Sequence, residues 1–309
     1  MKSILSLMLV VLGFHAAAIA ANPSSRPPAP GAVRMEVQNS QFHVLDNVML
    51  GVVRLDAWMI PKSRLIDLDD KKSFVLDIVS GETRMTAPDL TALLNEYLFP
   101  HAKAPINNIK VTFEDGMVKV SGQLHKGIPV PFEGKGEISI ADPSDLRLRF
   151  TELKVAGILK KGFLDALGIK LSSVAQPGKE SRFHLEGDDI ILPIAALFPP
   201  PRVTGKLTAV RIDGDVMVQI FGPADAKLPQ PPEAAKNFIY FHGGRMKFGK
   251  LTMQDVDLEL VDKDPSNALD FSLEHYYQQL EAGYSKMTAG QGLVVYVVDY
   301  SALAKKPQS

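Results

Sequence analysis

The sequence predicts an α+β protein of mostly antiparallel β structure, a large sheet covered by two amphipathic helices. Apolar and polar residues alternate over much of residues 108–222, which buries one face of each segment and wets the other. The turn signals Asp115-Gly116, Gly187-Asp188-Asp189 and Asp213-Gly214 each separate two such segments. Asp-Gly between alternating runs is the strongest short-range hairpin signal. Two other stretches, at residues 86–98 and 155–167, place apolar residues at helical spacing instead.

In chain order, the first twenty residues read as a signal peptide. Lys2 supplies the positive charge, Ile4 to Phe14 form an apolar run too short to span a bilayer, and Ala18-Ile19-Ala20 is a small-residue cleavage site. Cleavage is expected before Ala21, and the expected location is the periplasm or the cell exterior; a retained membrane anchor is the alternative. The chain has no cysteine, which excludes lipoprotein acylation and disulfides. Residues 21–33 are Pro-rich and read as an extended tether. The main body is expected over residues 34–222. Residues 223–236, with Pro223, Pro229, Pro231 and Pro232, read as a linker before a C-terminal block at 237–302.

Within the body, Met35 to Met59 read as two strands and Ser73 to Val79 as a third. A helix follows, with Thr86 as N-cap, Pro88 in its first turn and Asp89 three residues after the cap. Leu90, Leu93, Leu94, Tyr97 and Leu98 form its apolar stripe, and Pro100 stops it. Strands are then expected around Ile109–Phe113, Val118–Leu124, Ile128–Phe132, Ile138–Ile140 and Leu146–Phe150. Pro129 and Pro131 cannot donate to a ladder and point to an edge, while Gly134 and Gly136 point to a bulge. The second helix is expected over 155–167, with Val155, Ile158, Leu159, Phe163, Ala166 and Leu167 on one face and Gly168 as its stop. Hairpins follow from Phe183 and from Val203 to Phe221, with one helical turn at 194–198 before Pro199-Pro200-Pro201. In the C-terminal block, His242-Gly243-Gly244 reads as a hairpin turn, residues 272–284 as a third helix and Leu293 to Val298 as a strand.

Little in the chain offers chemistry. Lys and Arg number 34 against 35 Asp and Glu, so no basic excess attracts nucleic acid. The histidines have no metal-ligand spacing, no Gly-x-Ser-x-Gly elbow occurs, and Gly134-Lys135-Gly136 lacks the spacing of a phosphate loop. Adjacent carboxylates such as Asp188-Asp189 point apart on an extended chain and suit turns better than acid/base work. No catalytic residue, metal or cofactor is expected. What remains is apolar surface: either ordinary core, or a groove between sheet and helices that takes acyl chains, since a lipid needs a concave apolar site with few polar groups.

Phe163-Leu164-Asp165-Ala166-Leu167-Gly168, the strand Phe183 to Gly187, Asp188-Asp189-Ile190-Ile191-Leu192 and Leu197-Phe198-Pro199-Pro200-Pro201-Arg202-Val203-Thr204-Gly205 together resemble the LmeA-like bacterial phospholipid-binding proteins. So does the earlier order of a helix at 90–98, strands with Asp115-Gly116, and Ser121-Gly122. The resemblance covers roughly 75–221 and leaves out the C-terminal block. It implies a tubular lipid-binding architecture, a long curved antiparallel sheet wrapped around helices with lipid in the groove, and it offers no catalytic residues. The expected function is therefore an exported protein that binds a phospholipid or similar amphiphile, with peripheral membrane contact as a further partner. The expected lining is Leu90, Leu93, Leu94, Tyr97, Ile158, Leu159, Phe163 and Leu167. The alternative is a structural or adaptor protein of the cell envelope without a small-molecule ligand.

Overall fold

The computed structural model describes residues 27–100, 106–126, 128–160, 182–223 and 235–303. Those residues are mostly antiparallel β structure arranged as two sheets. The first sheet starts with β1 (Val33–Leu45), β2 (Val48–Pro61), the two-residue β3 (Ile66–Asp67) and β4 (Phe74–Thr86). β2 pairs antiparallel with both β1 and β4. Along β1, Val33, Met35 and Val37 face the core; beyond Asn39 (φ 45°), Phe42 does so instead. Asn tolerates the left-handed conformation that this change of parity uses.

The chain then leaves the sheet through α1 (Ala87–Leu93), which continues as a π-helical turn over Leu94–Leu98. Thr86 is the N-cap; its hydroxyl accepts from Asp89 N at 3.2 Å, with Pro88 in the first turn. The second sheet comprises β5 (Ile106–Glu114), β6 (Met117–Lys126), β7 (Ile128–Asp142), β8 (Asp145–Val155), β9 (Ile158–Leu159), β10 (His184–Glu186) and β11 (Asp189–Pro193). Its order is β10-β11-β8-β7-β6-β5, with β9 beside β8. β7 is internal over most of its length. Its Pro129 and Pro131 lie beyond the last β7–β8 pair, Phe132↔Val155, so the side of the strand that needs no donor carries the prolines. The β7–β8 register shifts at Lys135/Gly136, and Gly134 leaves room for the Phe150 ring.

The helix expected over 155–167 is not formed in its described part. Val155 ends β8, Ala156 (φ 51°) and Gly157 (φ 78°) turn the chain, and Ile158 pairs back onto Val155. Positive φ at two successive residues is what a two-residue hairpin turn needs, and Asp115-Gly116 does the same. The spacing of Val155, Ile158 and Leu159 suits a helix face as well as a hairpin; Gly157 decides between them. Residues 161–167, with Phe163 and Leu167, lie outside the described residues.

The chain returns through α2 (Ile194–Leu197) to β12 (Arg202–Gly205), β13 (Leu207–Asp213) and β14 (Val216–Phe221), which rejoin the first sheet beside β4. The sheets meet at the β7–β8 turn, where Ser144 O accepts from Ile194 N at 3.0 Å and Pro143 O from Leu207 N at 2.7 Å. The remaining elements are β15 (Phe238–Phe248), β16 (Leu251–Asp262), β17 (Leu269–Ser272), α3 (Tyr276–Glu281), β18 (Tyr284–Met287), β19 (Leu293–Val297) and α4 (Tyr300–Leu303). β15 pairs antiparallel with β1 and β17 pairs parallel with it, so the first sheet runs β13-β14-β4-β2-β1-β15-β16-β19-β18. Gly243 and Gly244 do not turn a hairpin. β15 passes straight through them with both at positive φ, and the reversal comes at Gly249-Lys250. A Cβ at Gly244 would sit 2.2 Å from Ala32 O, so the glycine permits close approach of the chain that enters β1. The helix expected over 272–284 shrinks to α3, because Ser272 closes β17 and Tyr284 opens β18.

Two predictions follow from these seams. Asn95 in the π-helical turn donates from Nδ2 to Ile109 O at 2.7 Å and accepts from Ile109 N at 2.9 Å, and Thr91 Oγ1 accepts from Val111 N at 2.9 Å. These side chains cap the outer edge of β5, which otherwise offers unpaired backbone groups. Asn95→Ala is expected to cost about 1–3 kcal/mol by urea unfolding and to raise self-association in light scattering; an unchanged midpoint and a monodisperse variant would count against this role. Truncation before Asn237 strips β15 and β17 from β1. The shortened chain is expected to melt lower and to aggregate, and the isolated 237–309 fragment to show no cooperative transition; two independently folding pieces would contradict it.

Candidate functional site

The inner face of the first sheet carries a cavity of about 680 Å³. Strand alternation builds its walls. Met35 and Phe42 come from β1, Val52, Leu55 and Met59 from β2, Leu76 and Ile78 from β4, Phe221 from β14, Phe241 from β15 and Phe271 from β17. Val203 of β12 extends the sheet wall beside Leu76, and Ile194 of α2 and the segment Phe198–Pro201 complete the lining. The chain crossing back from the second sheet thus supplies part of the lining of a hollow whose other walls come mostly from the first sheet. The polar pair within it is hydrogen-bonded: Thr83 Oγ1 donates to Gln219 Oε1 at 3.1 Å across β4 and β14.

The mouth is polar and is made by the β1–β2 turn, the loop before β4, the end of the first helical segment and the β17–α3 loop. His43, Asp46, Asn47, Lys71, Glu96, Glu274 and His275 line it. They are paired with one another across the opening. Lys71 pairs with Glu274, Asn47 Nδ2 donates to Glu96 Oε1 at 2.6 Å, and His275 Nε2 lies 3.4 Å from Asp46 Oδ1. His43 is the best-anchored member. Its Nε2 is 2.6 Å from Asp270 Oδ1 and its Nδ1 is 3.1 Å from the Asp46 carbonyl oxygen. The Tyr300 ring packs edge-on against it at 4.8 Å and stacks on His275 at 4.9 Å.

Burial opposes the His43 charge, but Asp270 and the Asp46 oxygens outweigh it and raise the His43 pKa. The converse holds for Asp270, where burial is outweighed by His43 and by Ser301, and the pKa falls. Burial lowers Lys71. With both ring nitrogens facing oxygens, His43 has no free lone pair to activate the neighbouring Ser272 hydroxyl. The arrangement holds charge at a rim; it does not prepare a nucleophile. Among the described residues no group of three or more His, Cys, Asp or Glu side chains could hold a metal ion.

The described residues among those singled out from sequence lie elsewhere, while Phe163 and Leu167 fall outside the described residues. Leu93 is fully buried with Val48, Met85 and Met217. Leu90 is half-buried between that cluster and the core of the second sheet, and Leu94 between the cores of the two sheets. Tyr97 is half-buried beneath the Arg182 guanidinium, 4.1 Å from its ring centre. That stripe joins the two sheets, and only Glu96 of this helix reaches the cavity mouth. Ile158 and Leu159 are exposed at the far end of the second sheet. The cavity residues went unnoticed because each is an ordinary inward position of a strand; only the pairing of β1 with β15 and β17 brings them around one hollow. Phe198 to Pro201, a run visible in the sequence, was the available signal. Among the described residues no helix is long and apolar enough to cross a membrane. No family model, curated protein or solved structure matches the chain.

The mouth should respond to pH. A raised histidine pKa means that the His43 contribution to stability is complete below the unfolded value of 6.5 and is lost as pH rises through the folded value. Asp262, pushed up to about 6 by burial, acts in the same direction at lower pH, so the comparison must be with a variant. Between pH of about 6 and about 9, the melting temperature is expected to fall more for the wild type than for His43→Gln; parallel curves would refute the assignment.

Proposed function

We propose that the chain is an exported, non-enzymatic lipid-binding protein that holds the acyl part of a phospholipid or similar amphiphile in the cavity of its larger sheet. The cavity carries this reading: about 680 Å³ of space walled mainly by aliphatic and aromatic side chains, with the hydrogen-bonded pair Thr83–Gln219 inside it and the charged groups at its mouth. That volume lies within the roughly 300–1,000 Å³ of ligand sites. Each methylene taken from water contributes about 0.8 kcal/mol, so a tail is held by its length without directed polar contacts. The mouth offers both charge signs, which suits a headgroup left at the surface. The resemblance of residues 75–221 to phospholipid-binding proteins points the same way. The reading keeps the groove of a tubular lipid-binding protein but draws its lining from the sheet, with the helix stripe at 90–98 as support. A purely structural envelope protein needs no such hollow, and this favours the lipid reading over that alternative.

Filling the hollow tests it. Leu50 and Val203 line the cavity and are only half-buried, so tryptophan at either position occupies its space without displacing the sheet. Leu50→Trp and Val203→Trp are expected to keep the wild-type melting temperature and to lower affinity for a fluorescent fatty acid by about tenfold or more. Two well-folded variants that bind the probe like the wild type would rule the cavity out as its site.

A further inference from the structure

Thr83 of β4 and Gln219 of β14 stand opposite each other on the wall of the hollow. Both are buried, at 3% and 4% exposure. Their surroundings are hydrocarbon. Met217 and Phe221 flank Gln219 on the inner face of β14, and across the ladder Val52 lies beside Thr83 and Val210 beside Gln219. The bond from Thr83 Oγ1 to Gln219 Oε1 uses the hydroxyl proton and the amide oxygen, and it fixes the amide. An amide also carries two N–H donors on its nitrogen. Among the described residues no acceptor meets those of Gln219 Nε2. A buried donor without a partner is destabilising, and leucine would fill the same wall position without that cost. Water is a poor partner here, because an enclosed water needs several polar contacts and the wall offers only this pair.

We propose that the ligand brings the missing acceptor: the part of the amphiphile that enters the hollow carries an uncharged oxygen, a carbonyl or a hydroxyl, which accepts from Gln219 Nε2. This chemistry narrows the amphiphile proposed above and rests on that reading of the hollow. The oxygen is neutral because the ladder neighbours of the pair are valines, and an ionised group there would be buried without a counter-charge. The cationic side chains of the lining, Lys71 and the histidines, are at the mouth. A few fixed polar groups in an apolar site set the orientation and choice of ligand, and a bare alkyl chain at this point would leave the amide donors unpaired. Two sources supply such an oxygen, the ester carbonyls of an acylglycerol lipid and an acyl chain oxygenated along its length.

The test is displacement of a fluorescent fatty acid from the full chain by two matched pairs of ligands. One pair is stearic acid with and without a keto group at mid-chain. The other is an ester-linked phosphatidylcholine and its ether-linked analogue, which lacks the carbonyls. The wild type is expected to bind the carbonyl-bearing member of at least one pair about tenfold more tightly. A preference in the first pair places the oxygen on the chain, and one in the second places it at the ester. Thr83→Val/Gln219→Leu replaces both hydrogen-bonding partners by apolar side chains of similar shape, a change that is close to neutral for folding, and should bind the two members of the preferred pair equally. If that variant does not fold, Gln219→Met takes its place. Equal binding within both pairs by the wild type, or a folded variant that keeps the preference, overturns the proposal and leaves the cavity reading standing. Failure of all four ligands to displace the probe removes the cavity reading, and this proposal with it.

Discussion

β1 is the strand on which the larger sheet depends. It pairs with β2 from its own hairpin on one side, and with β15 and β17, some two hundred residues later, on the other. A strand that changes partner along its length cannot stay flat. β1 passes from β15 to β17 at Asn39, and its inward side chains change parity there. The hollow lies on that inner face, so the shape of the cavity and the long-range pairing of β1 are one fact. Because these pairings join distant parts of the chain, they carry a large loop-closure cost and form only as a whole.

The other face of the same strands explains why the inner face can be so apolar. Arg34 donates to Asp56 through Nε at 2.7 Å and Nη2 at 2.5 Å and lies over the Trp58 ring, 5.0 Å from its centre. Glu36, fully buried, is 2.9 Å from His242 Nε2, and the Tyr240 hydroxyl donates to Asp257 at 3.1 Å. Strand alternation sends every one of these groups to the outer face and Val33, Met35, Ile239, Phe241 and Leu258 to the inner one. Buried charges of this kind add little net stability, yet removing one partner leaves the other uncompensated. They therefore fix register: a one-residue slip would turn Arg34 and Glu36 into the hollow.

Much of the local structure was legible. The Asp115-Gly116 and Asp213-Gly214 hairpins, the Thr86 cap and the Gly134/Gly136 irregularity follow from short-range rules that act within a few residues. The failures share one cause. Val155 to Leu159 fits a helix and a hairpin equally well until the conformations of Ala156 and Gly157 are known. Gly243-Gly244 looks like a turn, and only the passage of the chain at Ala32 makes it a point of close approach within an unbroken strand. His43 and Asp270, the anchor of the mouth, are 227 positions apart, and nothing local to either announces the other. The cavity was invisible for the same reason, since each residue of its wall reads as plain core in its own strand.

We propose that the hollow of the larger sheet is occupied in the working protein. Part of its lining, Ile194 and Phe198–Pro201, lies where the chain returns from the second sheet, so the space is built into the way the two sheets are joined. The most direct measurement is native mass spectrometry of the chain purified from its own compartment without added lipid. The account predicts an adduct of lipid mass that organic solvent extracts and that collisional activation removes from the folded ion. A spectrum showing only the bare polypeptide, from preparations kept free of detergent throughout, would contradict it.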